Sequence, residues 1–173
     1  FFPPNTLFYM LTDNDREGPG ARALFQTGIA AGMGIVLFKH RPMPAAGYAQ
    51  RTINLWIRRE TPNINLSVLV ALQLEQNWDA RLRIVQIVSE SAEVEEGREY
   101  IQRLKKLLRM PLDTEIILLV GHFREQFGKA PRADINIFGM PAQPDLELIQ
   151  DLAEQLATPL LILRDSKNES ALA

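Results

Sequence analysis

The sequence contains no cysteine and only two histidines, His40 and His122. Without thiols there is no disulfide framework, no thiolate nucleophile and no cysteine-based zinc site, and a reducing, cytoplasmic compartment fits. The histidines lack metal-ligand spacing, and each closes a predicted strand, so a structural or exposed role is expected of both rather than zinc binding. An excess of charge of one sign is also missing: 19 Lys and Arg stand against 21 Asp and Glu, interspersed along the chain, for a net charge of −2. No global field draws nucleic acid or anionic lipid. Long apolar runs are absent as well. Segments such as 35–38 and 68–72 fall far short of the ~20 residues that cross a bilayer as a helix, so no membrane span is expected.

What is present is enough apolar material for a full core. The chain has 173 residues, of which 46% are hydrophobic, and a domain of that size hides roughly 70% of its unfolded surface. One compact domain is expected. The opening Phe1-Phe-Pro-Pro4 is neither an initiator Met nor a signal peptide, and it reads as the start of a piece cut from a longer protein.

Strand signals recur at 6–11, 34–39, 52–57, 82–88, 115–121, 134–140 and 159–164. They are dense in Ile, Val, Leu and Phe with little alternation, the pattern of strands buried on both faces of a largely parallel sheet. Helical stripes lie between them: Ala21, Leu24, Phe25, Gly28 and Ile29; Val94, Gly97, Ile101, Leu104 and Leu108; Leu146, Ile149, Leu152, Ala153 and Leu156. The segment 65–77 is apolar nearly all round and predicts the most covered helix, and a short helix is expected over 124–128. The fold class that follows is α/β, a three-layer sandwich on a mostly parallel, doubly wound sheet. Residues 48–173 form a five-stranded unit in this reading, and residues 1–47 add a strand, helix and strand to the same sheet. The loop 41–50, rich in Pro, Ala and Gly, is the one internal linker candidate. No convincing repeat relates the two parts.

Chemistry-bearing patterns are few. Asp13 and Asp15 fall in a turn, and Glu93, Glu95 and Glu96 at a helix start, where they favour the helix dipole. The stretch Gly121-His-Phe-Arg-Glu-Gln-Phe-Gly128-Lys129-Ala130 follows a strand, as a phosphate loop does. Its glycines are too far apart, however, and Ala130 replaces the Mg-binding hydroxyl. Gly28, Gly32 and Gly34 lie between a helix and the next strand, the reverse of a dinucleotide fingerprint, and suit a helix C-cap and a tight turn. Arg58, Arg59, Arg81 and Arg83 read as solvated strand ends, or as a face turned to acidic lipid or a membrane-embedded half. Trp56 and Trp78 read as core or interface anchors. No catalytic, cofactor-binding or metal-binding residue is assigned, no cofactor is expected, and the chain is read as not an enzyme.

Two family resemblances follow from longer stretches. Ala133-Asp-Ile-Asn-Ile-Phe-Gly139 resembles the fourth strand of universal stress proteins, and the strand order from Thr52 onward matches that fold. Nucleotide-binding members continue into a glycine-x-x-glycine turn. Here Ala142 stands at the second glycine, Pro141 between, and Asp145 and Glu147 place negative charge where phosphate would sit. The resemblance therefore implies the fold without the ATP site. The run Thr52-Ile-Asn-Leu-Trp-Ile57, followed by the apolar helix, the turn Asn77-Trp-Asp-Ala-Arg81 and the strand Leu82-Arg-Ile-Val-Gln-Ile-Val88, resembles the cytosolic C-terminal domain of cation-chloride cotransporters. Asn54 stands where that family usually has Asp. The segments 6–11, 34–38, 133–141 and 159–164 resemble its other strands, and Arg164-Asp-Ser166 suggests a prokaryotic member.

This second resemblance implies a regulatory or assembly domain on the cytoplasmic side of the cell membrane, attached to the membrane-embedded domain of the same polypeptide, which would carry Na⁺ or K⁺ with Cl⁻. A homodimer is implied, with no nucleic-acid partner. The alternative is a stand-alone universal-stress-protein-like module that binds a nucleotide.

Overall fold

The computed structural model describes residues 5–12, 19–42, 50–59, 63–140, 146–168 and 171, the side chains of residues 19, 21 and 146 excepted. Seven strands form one sheet: β1 (Thr6–Met10), β2 (Gly34–Lys39), β3 (Thr52–Trp56), β4 (Arg81–Val88), β5 (Glu115–Val120), β6 (Ile135–Gly139) and β7 (Leu160–Arg164). Their spatial order is β1-β2-β7-β6-β3-β4-β5. From β3 onward all pairs are parallel, and β3 lies between β4 and β6, so the chain winds outward from β3 in both directions. β1 and β2 are parallel to each other but meet β7 antiparallel. The largely parallel sheet read from the sequence thus carries one reversal, at a seam between two strands that are apolar on both faces.

Helices cover both faces, because each strand presents apolar side chains to either side. α2 (Asn65–Trp78) and α3 (Val94–Leu107) lie over one face. There Val68, Ala71 and Ile101 pack on Ile53, Leu55, Ile84 and Ile137. α1 (Pro19–Ala30), the short α4 (Phe123–Gln126) and α5 (Leu146–Gln155) lie over the other. Phe25, Phe127, Ile149 and Ala153 there meet Leu37, Trp56, Val85, Phe138 and Ile162.

Local chemistry sets the helix ends. α3 carries Glu95 and Glu96 in its first turn and Lys105 and Lys106 in its last, a distribution that complements the helix dipole. α1 stops at Gly32, whose φ of 68° only glycine adopts without strain; Met33 N–H reaches back to Gly28 O at 2.9 Å. α2 ends at Asp79 in the left-handed region, with φ 49°.

α2 is less covered than its all-round apolarity predicts. Ser67, Val68 and Ala71 are its buried residues, while Leu66, Val70, Leu72 and Leu74 are partly exposed. The helix lies against β3, β4, β6 and β7 at the centre of the sheet, and its outer apolar side chains stay partly open to solvent.

Candidate functional site

In a doubly wound sheet, ligands bind at the carboxyl ends of the strands, where the winding reverses. Here that point lies between β3 and β6, and α2, which follows β3, opens its N-terminus onto it. A free helix N-terminus is a ready anion seat, because its first N–H groups point outward and the dipole favours negative charge. This seat is filled by the chain itself. Asp165, one residue past β7 and 5% exposed, accepts the backbone N–H groups of Asn65 at 3.1 Å and Leu66 at 3.0 Å, and the Asn65 side-chain amide at 3.2 Å.

The surrounding loops are tied to the same point. Asn63, buried, donates its side-chain amide to Met140 O and accepts the Asp165 N–H at 3.2 Å. Ser67 Oγ donates to Asn63 O at 3.0 Å, and Ala171 N–H reaches Asn65 Oδ1 at 3.2 Å. The carboxylate therefore occupies the anion seat that the N-terminus of α2 would otherwise offer.

A second polar cluster lies inside the face covered by α4. Asn54 and Asn136 are opposite one another on β3 and β6, both buried. Asn136 Oδ1 accepts the Trp56 indole N–H at 2.9 Å and the Asn54 amide at 3.4 Å, while its own amide donates to Thr158 Oγ1 at 2.9 Å. Asn54 Nδ2 also donates to Pro131 O at 2.8 Å. Trp56 stacks on Phe138 with centroids 5.1 Å apart, and Phe127 closes the cluster at 5.1 Å from the same indole. Neutral amides and aromatic rings, mutually bonded, position strands and supply no acid, base or nucleophile.

The residues singled out in the sequence fall apart spatially. His40 and His122 are both exposed; the His122 backbone carbonyl accepts two N–H groups at the start of α4, from Glu125 and Gln126. The stretch 121–128 contains α4 and the start of a 3-10 turn rather than a phosphate loop. Glu93 accepts the backbone N–H groups of Ser89 at 2.8 Å and Glu90 at 3.3 Å ahead of α3. Arg59 pairs with Glu96 at 2.7 Å, and Arg81 and Arg83 share Glu115 at 3.3 and 3.1 Å. Glu96 is held below its ordinary carboxylate pKa by the Arg59 hydrogen bond and charge. Trp56 is a core anchor, 6% exposed, and Trp78 packs at the edge of the other core with Arg51 over its ring at 5.4 Å. Asp134, read as part of a strand motif, clasps the start of β3 by accepting Thr52 N–H at 2.7 Å. Asp13, Asp15, the loop 43–49, Pro141, Ala142 and Asp145 lie outside the described residues. Among the described residues no three His, Asp or Glu side chains come together as metal ligands, and no helix is long and apolar enough to cross a membrane.

Residues 48–172 match the family described as the prokaryotic cation-chloride cotransporter, C-terminal domain, 2nd. The chain belongs to that family. A crystal structure of the cytoplasmic domain of a prokaryotic cation chloride cotransporter is similar over 99% of this chain and 68% of that one, with 29% identity and a TM-score of 0.83. No curated protein matches the sequence. The chain is thus a cytoplasmic domain of the cation-chloride cotransporter family, on a mixed α/β fold whose seven-stranded sheet is mostly parallel. In this cotransporter domain the sequence missed Asp165 as the resident anion of α2. Its one signal, an acidic residue directly after the last strand, has no local tie to a helix 100 positions earlier.

Proposed function

We propose that this domain performs no chemistry of its own and serves as a regulatory and assembly element of a transporter that moves Na⁺ or K⁺ with Cl⁻ through a separate membrane-embedded domain of the same polypeptide. The observation that carries this reading is the carboxylate of Asp165 on α2: the anion seat at the N-terminus of the central helix is occupied by a side chain. The same observation argues against a stand-alone nucleotide-binding module. The amides of Asn54 and Asn136 support the reading too, since they bond to each other, to the Pro131 carbonyl and to the Thr158 hydroxyl and bring no acid or base together.

Residues 1–47 and 48–173 act as one compact domain in this proposal, the seam of β2 with β7 supplying the coupling. A rigid α/β body transmits contacts to the membrane helices only if two domain arrangements differ in energy, with a coupling of ~1–3 kcal/mol typical of such linkage. The domain is a homodimer in the same proposal, and the exposed Leu107 and Leu112 beside the end of α3 offer apolar surface for self-association.

Expressing the transporter with this segment removed, and measuring membrane yield and oligomeric mass, tests the assembly role. Reduced yield or a smaller particle is the expected result. Equal yield and equal mass contradict it.

A further inference from the structure

The near-neutral charge of the chain conceals one stretch of a single sign. Between Glu99 and Asp113 there is no acidic residue, while Arg103, Lys105, Lys106 and Arg109 crowd the last turns of α3 and the turn that leads into β5. Lys105 and Lys106 suit the negative end of the helix dipole. The dipole accounts neither for Arg109, which lies beyond the helix, nor for the apolar side chains set among these cations. Leu107 is 60% exposed and Leu112 is 100% exposed. Arg103 acts on Glu96 within α3, and Asp113 acts on Glu75 of α2. Among the described residues neither Lys106 nor Arg109 pairs with a carboxylate.

The two leucines are held outward by a built turn. Leu108 and Met110 are 5% and 6% exposed and anchor the turn in the core that α2 and α3 cover. Arg109 between them takes a left-handed φ of 50°, and Met110 N–H reaches back to Lys105 O at 3.0 Å. Lys105 Nζ donates to Leu112 O at 3.2 Å and to Thr114 O at 2.6 Å. Thr114 N–H closes the turn on Pro111 O at 3.1 Å. Leu112 is thereby tied to the last turn of α3, and Leu107 shares a helix face with Arg103, four residues before it.

We propose that this corner, from Arg103 to Leu112, rests on the anionic lipid headgroups of the cytoplasmic leaflet, its cations on phosphate and its two leucines dipping between them. Lys and Arg beside exposed apolar side chains are what a membrane-surface contact requires. Lipid charge attracts the cations, and burial of the leucines adds a part that salt does not screen. The chain belongs to a family of membrane transporters, so a bilayer is held close to it and weak intrinsic affinity suffices. The arginines at other strand ends do not extend the patch, because Arg59 pairs with Glu96 and Arg81 and Arg83 share Glu115. A second copy meets the same leucines less well. A two-fold contact there would set Lys106 and Arg109 of one copy against those of the other, so beside a bilayer the leucines turn to lipid. The inference goes beyond the regulatory and assembly reading and survives its failure, since it needs only the neighbouring membrane.

A photoreactive benzophenone amino acid in place of Leu112 tests this in the full transporter polypeptide, held in nanodiscs of phosphatidylcholine alone or of phosphatidylcholine mixed with phosphatidylglycerol. Illumination is expected to give a lipid adduct in the anionic discs. The yield should fall on the order of tenfold in the neutral discs, and equally in anionic discs when Lys106→Gln and Arg109→Gln are combined. Added salt should lower it in the same direction. The comparison of the two lipids keeps the native charges, so it stands even if the double variant folds poorly. An equal lipid yield in both discs, or no adduct at all, overturns the proposal. An adduct to protein also overturns it, in favour of a second copy when two transporter chains are joined and of the membrane-embedded domain when the link lies within one chain.

Discussion

Asp165 holds the first turn of α2 through the Leu66 N–H at 3.0 Å, joining the end of the last strand to the central helix of the domain. The pairing is a capping interaction made from a distance. Its carboxylate satisfies N–H groups that would otherwise be orphaned at a buried helix end, which ties Asn63, Asn65 and Leu66 to Asp165 and Ala171 in one cluster.

Replacing this anion tests the cap. Asp165→Ala should destabilise the domain by about 2 kcal/mol, the scale for a charged capping hydrogen bond, lowering Tm by roughly 4 to 8 °C. Inorganic phosphate should restore part of that Tm in the variant at matched ionic strength, because it can enter the vacated seat and bind only the folded state. The native protein should show no such gain. An unchanged Tm in the variant rules out the cap as a significant contributor.

The buried amide pair makes a sharper demand. Asn54 donates to both Pro131 O and Asn136 Oδ1, and an aspartate there would turn a donor into an acceptor facing two acceptors. Asn54→Asp should therefore cost about 2–4 kcal/mol at neutral pH, read as a lower denaturant midpoint at unchanged m-value. A neutral outcome would mean that the loop bearing Pro131 is free to move away.

Much of this was legible in advance, and the exceptions share a cause. The strands were visible because β3, β4 and β6 are dense in Ile, Leu, Val and aromatic residues, and α3 because its stripe and its terminal charges agree. Strand direction was not visible at β2: Ile35 to Phe38 is apolar on both faces, so nothing in the segment marks which way it runs beside β7. Asp165 and the Asn54–Asn136 pair join residues 77 to 102 positions apart, beyond the reach of any local pattern. Asn54 could be noticed as a departure from the family's Asp, but not as a bonded amide.

Gly97 sets the fit of α3 on β4. A Cβ there would lie 3.1 Å from Val88 Cγ1 and 3.4 Å from Gln86 Oε1, and both neighbours are buried. Alanine in a helix interior is favoured over glycine by ~1 kcal/mol, yet the close packing should win. Gly97→Ala is expected to destabilise by about 1 kcal/mol in equilibrium unfolding. A stabilised variant would show that α3 sits farther from the sheet.

Glu75 supplies a pH signature. Partial burial, then the Asp113 and Asp79 charges, raise its pKa above the ordinary 4.5. A carboxyl whose folded pKa is raised destabilises the folded state once it ionises, so its penalty is full above the folded pKa and relieved as pH falls through it towards 4.5. Glu75→Gln should raise Tm at pH 7, with a gain that disappears below the ordinary carboxylate pKa. The gain is small, because solvent screens an accessible group. A pH-independent difference would assign the effect to something other than ionisation.

Chloride-dependent cation flux through the reconstituted transporter, compared with and without this domain at equal numbers of correctly inserted molecules, tests the central claim most directly. A regulatory body coupled by ~1–3 kcal/mol changes that flux by about fivefold or more. Identical flux per molecule, together with identical assembly and protein level, would contradict the account.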